Sequence, residues 1–159
     1  MGSYNLDILE ESLVKKLSIL KDIEKENEIQ KNILNDSSDV DLDAFNKTLD
    51  NKGDYIDQLN ALEEDFQSLY DRVKKDVDAN RDKYSEQIGR LQGLLKQITD
   101  MSASVEAQEH GNKRLVEKFF SSERHKLGTG RQSSAVAFGY YRTMNNFKDI
   151  PPQFLDRKN

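Results

Sequence analysis

Three short stretches of this chain carry side chains that could do chemistry. The first, Asp39-Val40-Asp41-Leu42-Asp43, has the Asp-x-Asp-x-Asp spacing that opens a calcium loop. Such a loop needs a glycine at its sixth position to turn and a bidentate glutamate at its twelfth, and here those positions hold Ala44 and Asp50. Without the turn the carboxylates do not converge on an ion. The same residues suit a helix N-cap, where Asp39 or Asp41 accepts hydrogen bonds from the free N–H groups of the first turn. The second stretch holds the two histidines, His110 and His125. Imidazole is a metal ligand and a proton carrier near neutral pH, but neither histidine has paired carboxylates at ligand spacing, so both read as solvated polar residues. The third, Gly128-Thr129-Gly130-Arg131-Gln132-Ser133, is glycine-rich like a phosphate loop. It lacks the two glycines five apart followed by Lys-Ser or Lys-Thr, and a hinge is the fitting interpretation.

Composition narrows the field further. The chain has no cysteine, which removes disulfides, thiolate metal sites and cysteine catalysis. No nucleophile–base pair, metal set or cofactor loop remains, so a non-enzymatic protein without cofactor or metal is expected. The basic stretch Lys113, Arg114, Lys118, Arg124, Lys126 and Arg131 includes Phe119 and Phe120, a pairing seen in nucleic-acid binders. Glu117 and Glu123 interrupt it and the whole chain carries −5, so nucleic acid is not the expected partner. No apolar run approaches the roughly 20 residues of a membrane span, and residues 1–16 lack a signal-peptide pattern, which points to the cytoplasm.

The charge is unevenly spread. Residues 1–112 hold 14 basic and 25 acidic side chains, net −11, and residues 113–159 hold 10 and 4, net +6. A basic tail on an acidic body suits folding back onto that body or meeting a partner. Apolar residues make up 35% and charged residues 33%, against about 45–50% and about 25% in an ordinary domain. Such a chain can bury stripes but not a thick core, and elongated helices are the natural solution.

The stripes are present. Leu6, Leu9, Leu13, Leu20, Ile23 and Leu34 recur at three-four spacing over residues 4–34, with the seam turning polar at Asn27 and Gln30, where packing is expected to loosen. Asn35–Asp39 reads as a loop. From Leu42 to Val105 the same stepping lands on apolar or aromatic residues at fifteen of nineteen positions; the exceptions are Lys52, Glu63, Asn80 and Gln87. Unbroken, this helix would be about 95 Å long. Asp78–Asp82 is its most polar part, where either a bend or a tight hairpin is open. A weak point is expected near Gly111, then helix to about Lys126. Gly89 and Gly93, four apart and off the seam, could mark a second close helix contact. Gly128-Thr129-Gly130 breaks the pattern, Arg131–Phe147 has helical character, and Pro151-Pro152 ends it. The expected fold is all-α: an elongated antiparallel helical bundle or coiled-coil hairpin over residues 1–127, with a Gly-hinged short C-terminal helix and Pro-containing tail over 128–159.

One feature fits no heptad frame. Phe138, Tyr140, Tyr141, Phe147 and Phe154 crowd the tail. Exposed rings mark contact surfaces, while covered ones would pack the tail on the body. Leu115, Phe119, Tyr140, Tyr141, Met144 and Phe147 are the candidate partner-binding residues.

The segments Gln97–Asp100, Ala107–Leu115, Tyr140–Asn145 and Pro151–Lys158, together with Leu9–Lys16, resemble small flagellar proteins of clostridial-type bacteria and are similar to the FlgN and FliT export chaperones. The likeness spans most of the chain, and its motifs are compositional. It implies a cytosolic helical chaperone of type III flagellar export, holding an amphipathic helical terminus of a hook–filament junction protein or filament cap protein and presenting it to the export apparatus. Pro151-Pro152-Gln153-Phe154 lies outside the general FlgN or FliT pattern, which leaves open which of the two the chain resembles more. The alternative from the heptads is a structural coiled coil, a homodimer burying the Leu42–Val105 seam.

Overall fold

The computed structural model describes residues 2–35, 40–123 and 139–140. Its elements are three long helices, α1 (Gly2–Asn35), α2 (Leu42–Ala79) and α3 (Ser85–Glu123), and no strand occurs among the described residues. The architecture is the expected all-α bundle. The expected division at residues 127/128 and most of the C-terminal helix and tail lie outside the described residues.

Helix α2 begins where a side chain can satisfy its free amides. Asp41 is extended (φ −81°, ψ 98°) and its Oδ1 accepts from the Ala44 N–H at 3.0 Å. The aspartate spacing that mimics a calcium loop is thus used, at Asp41, as a cap. Replacing Asp41 with Ala should lower stability by about 1 kcal/mol, and Asp41→Asn should retain most of it. Thermal or urea unfolding of the two variants checks both values.

The long seam does not run straight. Helix α2 ends at Ala79, Asn80 leaves helical geometry (φ −139°, ψ 47°), and its N–H closes the last turn on the Asp76 and Val77 carbonyls at 3.2 and 3.1 Å. A short turn follows, with the Lys83 N–H donating to the Asn80 carbonyl at 3.1 Å, and α3 starts at Ser85. Neither Gly nor Pro enforces this break. The reason lies in α1, whose 34 residues span about 50 Å. A straight helix over Leu42–Val105 would leave nearly half its apolar seam uncovered. Folding at the most polar stretch lets both halves bury against α1.

The two halves meet α1 in opposite senses. Helix α2 is antiparallel to it, with Asn5 bonded to Asp76 at 3.1 Å at one end and Asn51 to Glu26 at 3.3 Å toward the other. Helix α3 is parallel to it, from Gln87 donating to Asp7 at 2.7 Å to Asn112 donating to the Asn27 carbonyl at 3.0 Å. The larger core holds Leu9, Leu13 and Leu20 of α1 with Ile56 and Leu59 of α2 and Leu91, Ile98 and Val105 of α3. The Leu42–Val105 seam that would join two copies in the dimer alternative is largely covered by α1 within one chain. Among the described residues, no helix is long and apolar enough to cross a membrane.

Helix α3 runs through Gly111 without interruption, contrary to the expected weak point. Glycine there costs about 1 kcal/mol of helix propensity, too little to break a helix packed along its length. Gly89 and Gly93 are exposed, and no atom of another described helix lies within 4 Å of where a Cβ would sit on either. They mark no close-packed helix contact in this chain.

Candidate partner-binding site

A smaller second core closes the end of the bundle where α1 finishes and α2 begins. Leu34, Phe45, Leu49, Val116 and Tyr140 are buried in it, with Ile33, Leu42, Leu115, Phe119 and Phe120 packed around them, half-buried. The Phe119 and Phe120 rings meet edge to face at 5.1 Å between centroids, and Phe45 stacks on Tyr140 at 6.2 Å. Three of the six candidate contact residues, Leu115, Phe119 and Tyr140, therefore share one cluster. Leu115 and Phe119 keep part of their surface in solvent, whereas Tyr140 is 1% exposed. Tyr141, Met144 and Phe147 lie outside the described residues. The chain thus returns to the body at Tyr140, and a partner that engaged this ring would first have to displace it.

A buried polar layer separates the two cores. Lys52 has no exposed surface, and its ammonium lies 2.6 Å from Glu109 Oε2 of α3, 3.2 Å from Gln30 Oε1 of α1 and 5.7 Å from the centre of the Tyr140 ring. The Tyr140 hydroxyl reaches Glu109 Oε1 at 3.5 Å. One cation thereby touches both other helices and the returning tail. Burial pushes the Lys52 pKa down, and the charge of Glu109, with that of Glu26 behind it, opposes the shift. Asn112 donates to the Asn27 carbonyl at 3.0 Å and to Gln30 Oε1 at 3.3 Å, and Asn27 donates to Gln108 at 3.2 Å. The expected loosening at Asn27 and Gln30 does not occur, because both are buried and bonded into this layer. The polar gaps in the three seams fall at one level and bond to one another, while Asn27 Oδ1 and Gln30 Nε2 stay buried without a hydrogen-bond partner among the described residues. A second polar exception, Glu63, pairs in the same manner with Lys16 of α1, whose ammonium leans over the Phe66 ring.

No protein-family model, curated protein or solved structure matches this chain.

Around the aromatic end, α3 presents Lys113, Arg114 and Lys118 to solvent. His110 is also exposed, and His125 is outside the described residues. Among the described residues, no group of three or more His, Asp or Glu side chains is placed to hold a metal ion. Sequence reasoning missed Phe45, Val116 and Phe120 as parts of the end cluster, and Glu109 as the partner of Lys52. The signal for the first three was their apolar character near both helix ends. For Glu109, which stands outside the three-four stepping, there was none.

The opposite end of the bundle carries polar contacts at its partly exposed rim. Arg90 Nε donates to Glu10 Oε2 at 3.0 Å, and Gln87 donates to Glu10 Oε1 at 3.0 Å. These bonds, Arg90 first, hold the Glu10 carboxyl below its ordinary value. A carboxylate depressed in the folded state adds stability above its unfolded pKa and loses it as pH falls through the folded one. An NMR titration of Glu10 should show a midpoint below that of a free glutamate, and Arg90→Ala should raise it. Arg90 is 57% exposed, so solvent screening keeps the change in stability small.

Proposed function

We propose that this chain is a helix-binding chaperone of the flagellar export type, acting in the cytoplasm. In this reading it holds an amphipathic terminus of a hook–filament junction protein or filament cap protein and hands it to the export apparatus. The supporting observation is the second core, where half-buried Leu115, Phe119 and Phe120 adjoin exposed Lys113, Arg114 and Lys118. An apolar, aromatic surface flanked by cations suits a helix with an apolar stripe and acidic flanks, docking by its i, i+3, i+4 and i+7 anchors. Tyr140, Tyr141, Met144 and Phe147 complete the residues proposed to meet the partner; Tyr140 is buried and would have to be displaced, and the other three lie outside the described residues. Fifteen apolar seam positions over Leu42–Val105 serve the scaffold.

The test is retention of soluble junction and cap proteins on the immobilised full-length chain. Binding of one of them, weakened by Leu115→Ser with Phe119→Ser, is the expected result. Retention of neither, with both present and folded, would reject the flagellar assignment.

A further inference from the structure

All four exposed large apolar side chains among the described residues are on α1: Tyr4 at 67%, Ile8 at 36%, Val14 at 50% and Ile29 at 46%. Helix α1 already packs α2 on one flank and α3 on the other. Its third face is therefore the one that carries unburied apolar surface. At 100° per residue, Tyr4, Ile8, Glu11, Lys15 and Ser18 fall along one line of that face, with Val14 at its edge. A shallow groove of ≈ 750 Å³ runs beside the line, bordered by Ile8, Ser12, Val14 and Lys15 and by Leu62 of α2.

The charges on this line decide what can cover it. Glu11 and Lys15 are both exposed, with Glu11 one turn nearer the N-terminus. If a second α1 lay parallel and in register, glutamate would face glutamate and lysine would face lysine. In antiparallel register about residue 13, Glu11 of each copy faces Lys15 of the other, and the contact is made twice by the twofold axis. Ile8 then comes opposite Ser18, a short side chain that leaves it room, and Val14 lies close to the axis. We propose that α1 is a homodimerisation surface, occupied by α1 of a second copy of this chain in antiparallel, twofold register centred near residue 13. The patch is small, so association is reversible and depends on concentration. It uses a different face from the aromatic end and stands whether or not the chaperone reading holds.

Sedimentation of the full-length chain over a wide concentration range tests the proposal. The weight-average mass of the wild type should climb from 18.3 kDa toward twice that value. Glu11→Lys alone and Lys15→Glu alone should each move the monomer–dimer midpoint to at least about tenfold higher concentration, a change of about 1.4 kcal/mol. The double variant, which restores opposite charges across the axis, should return it to the wild-type value. Both sites are exposed, and unchanged circular dichroism confirms that the fold is kept. Because the chain has no cysteine, single cysteines report geometry directly. Val14→Cys should crosslink under mild oxidation, whereas Ile29→Cys, about 48 Å from its symmetry mate by helix rise, should not. A monomer at every concentration, a double variant as weak as the singles, or equal crosslinking at positions 14 and 29 would each overturn the assignment.

Discussion

Replacing Glu109 with Ala should destabilise the chain by about 3–5 kcal/mol, because it leaves the Lys52 ammonium buried without its counter-charge. Gln30 remains as a hydrogen-bond acceptor, but a neutral amide does not replace a carboxylate 2.6 Å away. A domain of this size has about 5–15 kcal/mol in total, so a large part of the folded population is at stake. Urea unfolding reads the effect as a fall in midpoint at constant slope. The paired replacement Lys52→Met with Glu109→Leu should behave in the opposite way. It removes both desolvation penalties and should match or exceed the wild type, as buried ion pairs replaced by apolar residues often do. What it should lose is the anchor that fixes α1, α2, α3 and Tyr140 at one level. Broadened amide resonances near Gln30, Asn112 and Tyr140 in the double variant would reveal that loss. A Glu109→Ala variant within about 1 kcal/mol of wild type would mean the layer is far more hydrated than its burial indicates.

The layer also shows where legibility in the sequence stopped. The apolar stepping from Leu42 to Val105 was open to reading because a three-and-a-half-residue rhythm is local, and a cap at Asp39 or Asp41 followed from their position before that rhythm. The hairpin at Asn80 was visible as a polar stretch. Choosing between bend and hairpin required the length of α1, which fixes how much seam one helix can cover. Lys52 and Gln30 each looked like a defect in its own seam, and Asn112 adjoined the weak point expected near Gly111. That the three meet is a property of helix register, set by contacts such as Gln87 to Asp7 that no single-helix pattern contains. The place of Tyr140, 31 residues from Glu109, is non-local in the same way. Tyr4, Ile8 and Val14 escaped notice because a search for one stripe per helix passes over a second. Of the six candidate contact residues, the structure gathers Leu115, Phe119 and Tyr140 at one end, and the cluster they join was only half foreseen.

Replacing Leu91 and Ile98 together with Asp should abolish most of the helical signal in circular dichroism. Ile98 is 0% and Leu91 6% exposed, and both sit in the larger core against α1. Lost burial alone removes about 3–6 kcal/mol for the pair, and two carboxylates without partners add several more. That sum reaches the whole stability of an ordinary domain, and α2 and α3 have little propensity to stand alone once α1 detaches, since most helical stability in proteins comes from tertiary packing. Replacing Tyr141 and Phe147 with Ser should leave the helical signal nearly intact while weakening retention of a junction or cap protein. The contrast separates Leu91 and Ile98, which hold helices together, from Tyr141 and Phe147, which are proposed to meet a second molecule. Equal loss of helicity in both variants would mean that the tail aromatics belong to the scaffold, and the binding surface would then have to be sought on Leu115, Phe119 and Phe120 alone.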